Sequence, residues 1–163
     1  MNALRKTLHV LAVLAWALWM GGFTFYTAVS LRVAHKVLGD SGEFGFVTQI
    51  VTDRLNLIGT VAVVLLLAHL LSHWQVFTSR RRRILMGTWL ILAITLAQLY
   101  HVHNLIDALL DFELRRVPDR AAFEAVHDRY ELIATVQWLC AVIHLAMMLT
   151  HERVNSVSND NRN

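Results

Sequence analysis

The sequence predicts an all-α integral membrane protein, a four-helix bundle with both termini cytoplasmic. Three observations lead there. Of the 163 residues, 56% are hydrophobic and 17% charged, with a mean hydropathy of +0.46; soluble domains average about a quarter charged. Apolar runs of about 20 residues recur, the length a helix needs to cross roughly 30 Å of hydrocarbon. Basic residues concentrate at alternate ends of these runs. The length allows four spans with short loops, so residues 1–154 read as one domain without a linker, followed by a disordered polar tail at 155–163.

The first span is expected over residues 7–33, preceded by Arg5 and Lys6. Its apolar run is too long for a signal-peptide core, so it reads as a retained span. Trp16, Trp19, Met20, Gly21 and Gly22 suit helix packing, with the glycine pair expected to admit a neighbouring helix closely. Gly39 to Gly45 is the one glycine-rich stretch and reads as a loop without a phosphate-binding pattern. The second span is expected over 55–77. Arg80, Arg81, Arg82 and Arg83 then read as the link to the third span, 84–110. Helix-compatible sequence continues past it through Asp111 to Arg116. Pro118 and Asp119 mark a tight turn, and Ala121 to Glu131 leads into the fourth span, 132–150. Arg5, Lys6, the four arginines and Arg153 all fall on one side, which the positive-inside rule makes cytoplasmic. The expected location is a bacterial inner membrane.

Several function classes drop out. Cys140 is the single cysteine, so no intramolecular disulfide forms, and mid-helix it reads as a small core residue. The net charge of +3 sits at segment ends, and no nucleic-acid-binding motif is present. No dinucleotide fingerprint or Ser-His-Asp pattern is present either. Ser72 adjoins His73, but neighbouring helical residues point in different directions.

The nine histidines carry the chemistry. An imidazole at membrane depth is costly unless it faces the bundle interior and a partner, and neutral imidazole is the commonest metal and haem ligand. His9, His69, His73 and His144 fall in the cytoplasmic half, with Met86, Met147 and Met148 at similar depth. His69 and His73 share a helix face at i,i+4 spacing, and Gln137, Cys140, His144 and His151 form a stripe on the last helix. If these faces turn inward, three helices present imidazoles at one depth, which serves haem b or copper. The bland alternative is a set of hydrogen-bonded core histidines holding the bundle together. A second, outer layer contains His101, His103, Asp107, His127 and Glu131 as candidate metal ligands. Glu124 and His127 have the Glu-x-x-His spacing of carboxylate-bridged metal bundles, once only, and the same charges suit i,i+4 ion pairs at the aqueous interface.

His9 to Trp16, followed by Met20-Gly21-Gly22-Phe23-Thr24-Phe25-Tyr26, resembles the first helix of a group of small four-helix membrane proteins. That group includes the copper-resistance D-type proteins and the bacterial four-helix protoporphyrinogen oxidase. Val51 to Gly59 resembles the start of the second helix in TMEM205-like, DUF4149-type proteins, and Phe123 to Gln137 is similar to their last helix. The resemblance implies the four-helix architecture. It also implies a metal or haem association for the helix-one histidine, which only His9 carries over.

The leading functional expectation is a haem- or copper-binding electron-transfer subunit of a larger membrane complex, or a homo-oligomer, in the lipid bilayer. The alternative is a non-catalytic accessory or scaffold subunit. A weaker one is a path for metal ions or protons, for which Thr60, Thr95, Gln98 and Gln137 are the mid-depth polar residues.

Overall fold

The computed structural model describes residues 3–39, 42–111 and 117–160, with side chains placed in 3–39, 45–111 and 117–150. Helix α1 (Ala3–Phe25) passes through a π-helical turn (Tyr26–Ser30) into α2 (Leu31–Leu38). Then come α3 (Gly42–Ser72), α4 (Ser79–Ala108) and α5 (Arg120–Asp160). No strand occurs among the described residues. Four helical rods are long and apolar enough to cross a membrane: Ala3–Leu38, Gly45–Ser72, Ser79–Ala108 and Arg120–Thr150. The polar tail expected at 155–163 falls on residues whose side chains lie outside those described.

Local chemistry moves several boundaries from their sequence positions. The expected loop from Gly39 to Gly45 contracts, because α3 already begins at Gly42. Gly39 ends α2 with φ +62°, a left-handed value that glycine adopts without strain, and its N–H bonds the His35 carbonyl. Helix α3 stops at Ser72 instead of Phe77. His73 N–H still reaches the His69 carbonyl at 3.2 Å, but the next bonds tighten into a turn, with Val76 N–H on the His73 carbonyl at 2.9 Å. The four arginines are not a linker. Thr78 caps α4, its hydroxyl accepting from Arg81 N–H at 3.4 Å, and arginine is a strong helix former, so they make up the first turns of α4. At the far end α4 finishes at Ala108, so Asp111 lies beyond it; the rest of the expected extension, 112–116, lies outside the described residues. Asp119 caps α5 by accepting from Ala122 N–H at 3.0 Å, directly after Pro118.

The helices pack as a ring. α4 lies along α5, α1 along α3 and α3 against α4, and α1 touches α5 to close the circuit; α1 with α4 and α3 with α5 are diagonal. Neighbours run antiparallel, so the start of α1, the α3–α4 turn and Thr150 share one end of the bundle. The core holds Ala12, Trp19, Ala62, Leu66, Leu70, Leu85, Leu92, Ala141 and Met148. Outward faces remain apolar, with Leu14, Leu18, Val61, Val64, Leu71, Ile94, Leu139 and Ile143 exposed. That pattern suits a lipid surround, where apolar surface needs no covering.

Tryptophans join the ring. Trp16 Nε1 donates to the Ala141 carbonyl at 2.9 Å, Trp89 Nε1 to the Val63 carbonyl at 3.0 Å, and Trp138 Nε1 to Thr24 Oγ1 at 3.0 Å. Of the described glycines, Gly59 has the tightest surroundings, where a Cβ would stand 2.6 Å from the Trp19 ring. The expected glycine pair behaves unevenly. A Cβ at Gly22 would meet Leu55 at 3.2 Å, while one at Gly21 would meet nothing within 4 Å.

Candidate functional site

Three imidazoles meet at the end of the bundle that carries the arginines. The i,i+4 spacing stacks His69 and His73 on one face, with ring centroids 4.4 Å apart. The α1–α3 packing brings His9 Nδ1 to 3.2 Å from His69 Nε2. His69 and His73 are buried, and His9 is half-buried.

The tautomer of His73 follows from its partners. Its Nδ1 lies 3.0 Å from the His69 carbonyl and 2.9 Å from Ser72 Oγ, and the Ser72 hydroxyl itself donates to that carbonyl at 2.8 Å. A carbonyl only accepts, so Nδ1 carries the hydrogen and Nε2 holds the lone pair.

His144 on α5 is 1% exposed. Its Nδ1 lies 2.8 Å from Thr88 Oγ1, whose hydroxyl approaches the Ile84 and Leu85 carbonyls at 3.0 and 3.1 Å. A hydroxyl has one hydrogen, and two carbonyls compete for it, so Thr88 accepts from His144 Nδ1–H. Nε2 of His144 is then a buried lone pair, with no hydrogen-bond partner among the described residues.

Arg81 closes this end. Its guanidinium sits 5.0 Å from the Phe77 ring centroid and donates to the Met147 and Met148 carbonyls on α5. Phe77 in turn stacks on His73, with centroids 5.6 Å apart and 19° between planes. Met86 and Met147 pack on the adjoining core, and Met148 is buried in it. Cys140 is buried and donates through Sγ to the Thr88 carbonyl at 3.3 Å, as a small core residue would. The His151 side chain lies outside those described.

The outer-layer residues are divided. His103 is buried on α4, and its Nε2 is 3.9 Å from Asp107 Oδ2; Gln49 Nε2 donates to Asp107 Oδ1 at 2.7 Å. His127 and Glu131 pair at 3.2 Å on an exposed face of α5, and His101 is exposed on α4. The Glu-x-x-His spacing is taken up by neighbours: Glu124 pairs with Arg120 at 2.9 Å, and the His127 ring stacks on Phe123. Among the described residues, no three His, Cys, Asp or Glu side chains converge tightly enough to hold a metal ion as they stand.

Thr88, Phe77 and Arg81 were not legible as parts of the site, and Ser72, expected to point away from His73, instead lies 2.9 Å from its Nδ1 because both reach back to the His69 carbonyl. Threonine and serine bond main-chain carbonyls throughout helices, and an arginine beside three others reads as a topology signal. Tyr130, Gln137 and His144 do carry a signal, a seven-residue spacing that places three polar groups on one helical face.

A family model described as a domain of unknown function (DUF4149) matches residues 14–113. That range takes in His69 and His73 but neither His9 nor His144. No curated protein and no solved structure matches the chain.

Proposed function

The chain belongs to the DUF4149 family of domains of unknown function, and we propose that it is a small redox protein of the membrane that holds a soft metal ion, copper foremost, among His144, His73, His69 and His9. The observation that carries this is the His144 Nε2 lone pair, buried without a partner and aimed by Thr88. Metal-bound histidines characteristically donate their other ring N–H to an oxygen, which fixes tautomer and orientation. His144 on Thr88 and His73 on the His69 carbonyl both follow that pattern. The methionines packed in the adjoining core favour a soft ion over a hard one.

Haem fits less well. Two axial imidazole nitrogens stand about 4 Å apart, given metal–nitrogen bonds of roughly 2 Å. His9 and His69 are at 3.2 Å, and the rings of His9, His69 and His73 pack directly on one another. A porphyrin would have to part them. A copper ion would supply one-electron chemistry. The chain's own part is to present neutral donors, to hold the His73 ring against Phe77, and to place Arg81 where it closes the site. The arginine-rich end is oriented to the cytoplasm, in a bacterial inner membrane, on the positive-inside rule.

Metal analysis and a visible spectrum of the detergent-purified protein, expressed with both copper and haem available, test this. Copper is expected near one equivalent per chain, about 1 by the two-to-four-ligand logic of a single site. His144→Ala should lose it, and His101→Ala and His127→Ala should keep it. A Soret band with sharpened reduced α and β bands would assign the histidines to haem instead. A chain that takes up neither would leave the accessory-subunit reading in its place.

A further inference from the structure

A polar stripe runs through the interior of the bundle, and beyond His144 its groups take no part in the histidine site. Tyr130, Gln137 and His144 are 8%, 3% and 1% exposed, and their seven-residue spacing puts them on the inward face of α5. Seven residues advance a helix by about 10 Å, so the three together cover roughly 20 Å of a hydrocarbon core about 30 Å thick. The other helices also bury polar side chains, Asn56 on α3, 4% exposed, and Thr95 on α4, 7% exposed. Thr60 and Tyr100 join their hydroxyls at 3.0 Å at a similar depth.

Two of these side chains have donors with nowhere to donate. Gln137 Nε2 and Asn56 Nδ2 are buried and have no hydrogen-bond partner among the described residues. An amide N–H2 cannot ligate a metal, so the cofactor proposed above does not account for them. Lipid tails cannot accept either, and an unpaired amide at this depth is strongly disfavoured. Water is the acceptor that meets the need, because it takes a hydrogen bond from the amide and still has two hydrogens to pass on. Thr95 fits the same role, since its hydroxyl donates to the Ile91 carbonyl at 2.8 Å and keeps oxygen lone pairs open to a donor.

We propose that Gln137, Asn56 and Thr95 hold a file of internal waters along α5, and that this file conducts protons between the two ends of the bundle. At one end it reaches the inner histidines. At the other it approaches the buried Tyr130, and beyond that Asp107 with Gln49. Each step breaks an O–H bond on one water and forms one on the next, so the chain itself is unchanged. Gln137 is a positioning residue that fixes the waters at mid-depth.

The full chain, reconstituted into phosphatidylcholine–phosphatidylglycerol vesicles with an internal pH dye and driven by a potassium diffusion potential, tests this. Proton entry should exceed that of protein-free vesicles several-fold. Gln137→Leu should return it to the protein-free rate while keeping native helical circular dichroism and the metal content of the parent. Where Gln137→Leu fails to fold, Asn56→Leu and Thr95→Val give the same comparison. Wild-type flux no faster than protein-free vesicles would overturn the proposal, as would a folded Gln137→Leu that conducts like the parent; the waters would then be isolated and structural.

Discussion

Gly59 and Trp19 set the separation of α1 and α3, and therefore whether His9 can reach His69 at all. Gly59→Ala drives a methyl into the Trp19 ring, and overpacking of this kind costs about 1–3 kcal/mol. It should lower the thermal midpoint clearly in detergent, whereas Gly21→Ala, facing open space, should leave it unchanged or slightly raised. Thr88 has a different consequence. Thr88→Val keeps the volume but removes the oxygen that His144 Nδ1 donates to. Loss of such an orienting partner typically weakens metal affinity about 10- to 100-fold, so copper titration should move while the melting point changes little. The residue types at this scale were readable in the chain. Their directions were not, because helix rotation is settled by contacts such as Trp16 on Ala141 and Trp89 on Val63 that join residues far apart in sequence.

Among the elements, the first rod is the irregular one. Its π-helical turn at Tyr26–Ser30 holds one residue more than an α turn would, with Tyr26 buried and its hydroxyl 3.4 Å from the Thr48 carbonyl. Deleting the exposed Ala28 should convert that turn to regular α-helix without rotating α2, and circular dichroism should register unchanged helicity. Loss of the fold would mean the wide turn is required to seat Tyr26. The π turn left no mark in the sequence, since Tyr-Thr-Ala-Val-Ser is compatible with any helical pitch. The spans themselves were legible because hydrophobic length is a strong signal, but their ends were not. At Ser72 the backbone turns inside an apolar run that continues to Phe77, and at Ser79 a helix begins among charges. Thr78→Ala, which removes the cap on α4, is expected to cost about 1 kcal/mol, measurable by chemical denaturation in mixed micelles.

Taken whole, the antiparallel ring places the start of α1 and the end of α5 beside the four arginines. Reporters fused at either terminus should therefore report the same side of the membrane. Opposite signals from the two fusions would contradict the ring. The number of rods was the most legible feature, because four apolar runs of membrane length decide it without any knowledge of packing. The outer layer shows the limit of the same reasoning. His101, His103 and His127 lie near one depth, yet the bundle turns His101 and His127 outward and His103 inward.

The ring has a further consequence for how the chain is made. Each long contact joins helices that are neighbours in sequence, α1 with α3 and α4 with α5, and only the lighter α1–α5 contact links first to last. The polypeptide is thus two consecutive hairpins, each able to insert as it leaves the ribosome before the pair docks. A gene cut at the Trp74–Thr78 turn should yield two fragments that reassemble when co-expressed, recovered together through a tag on either one.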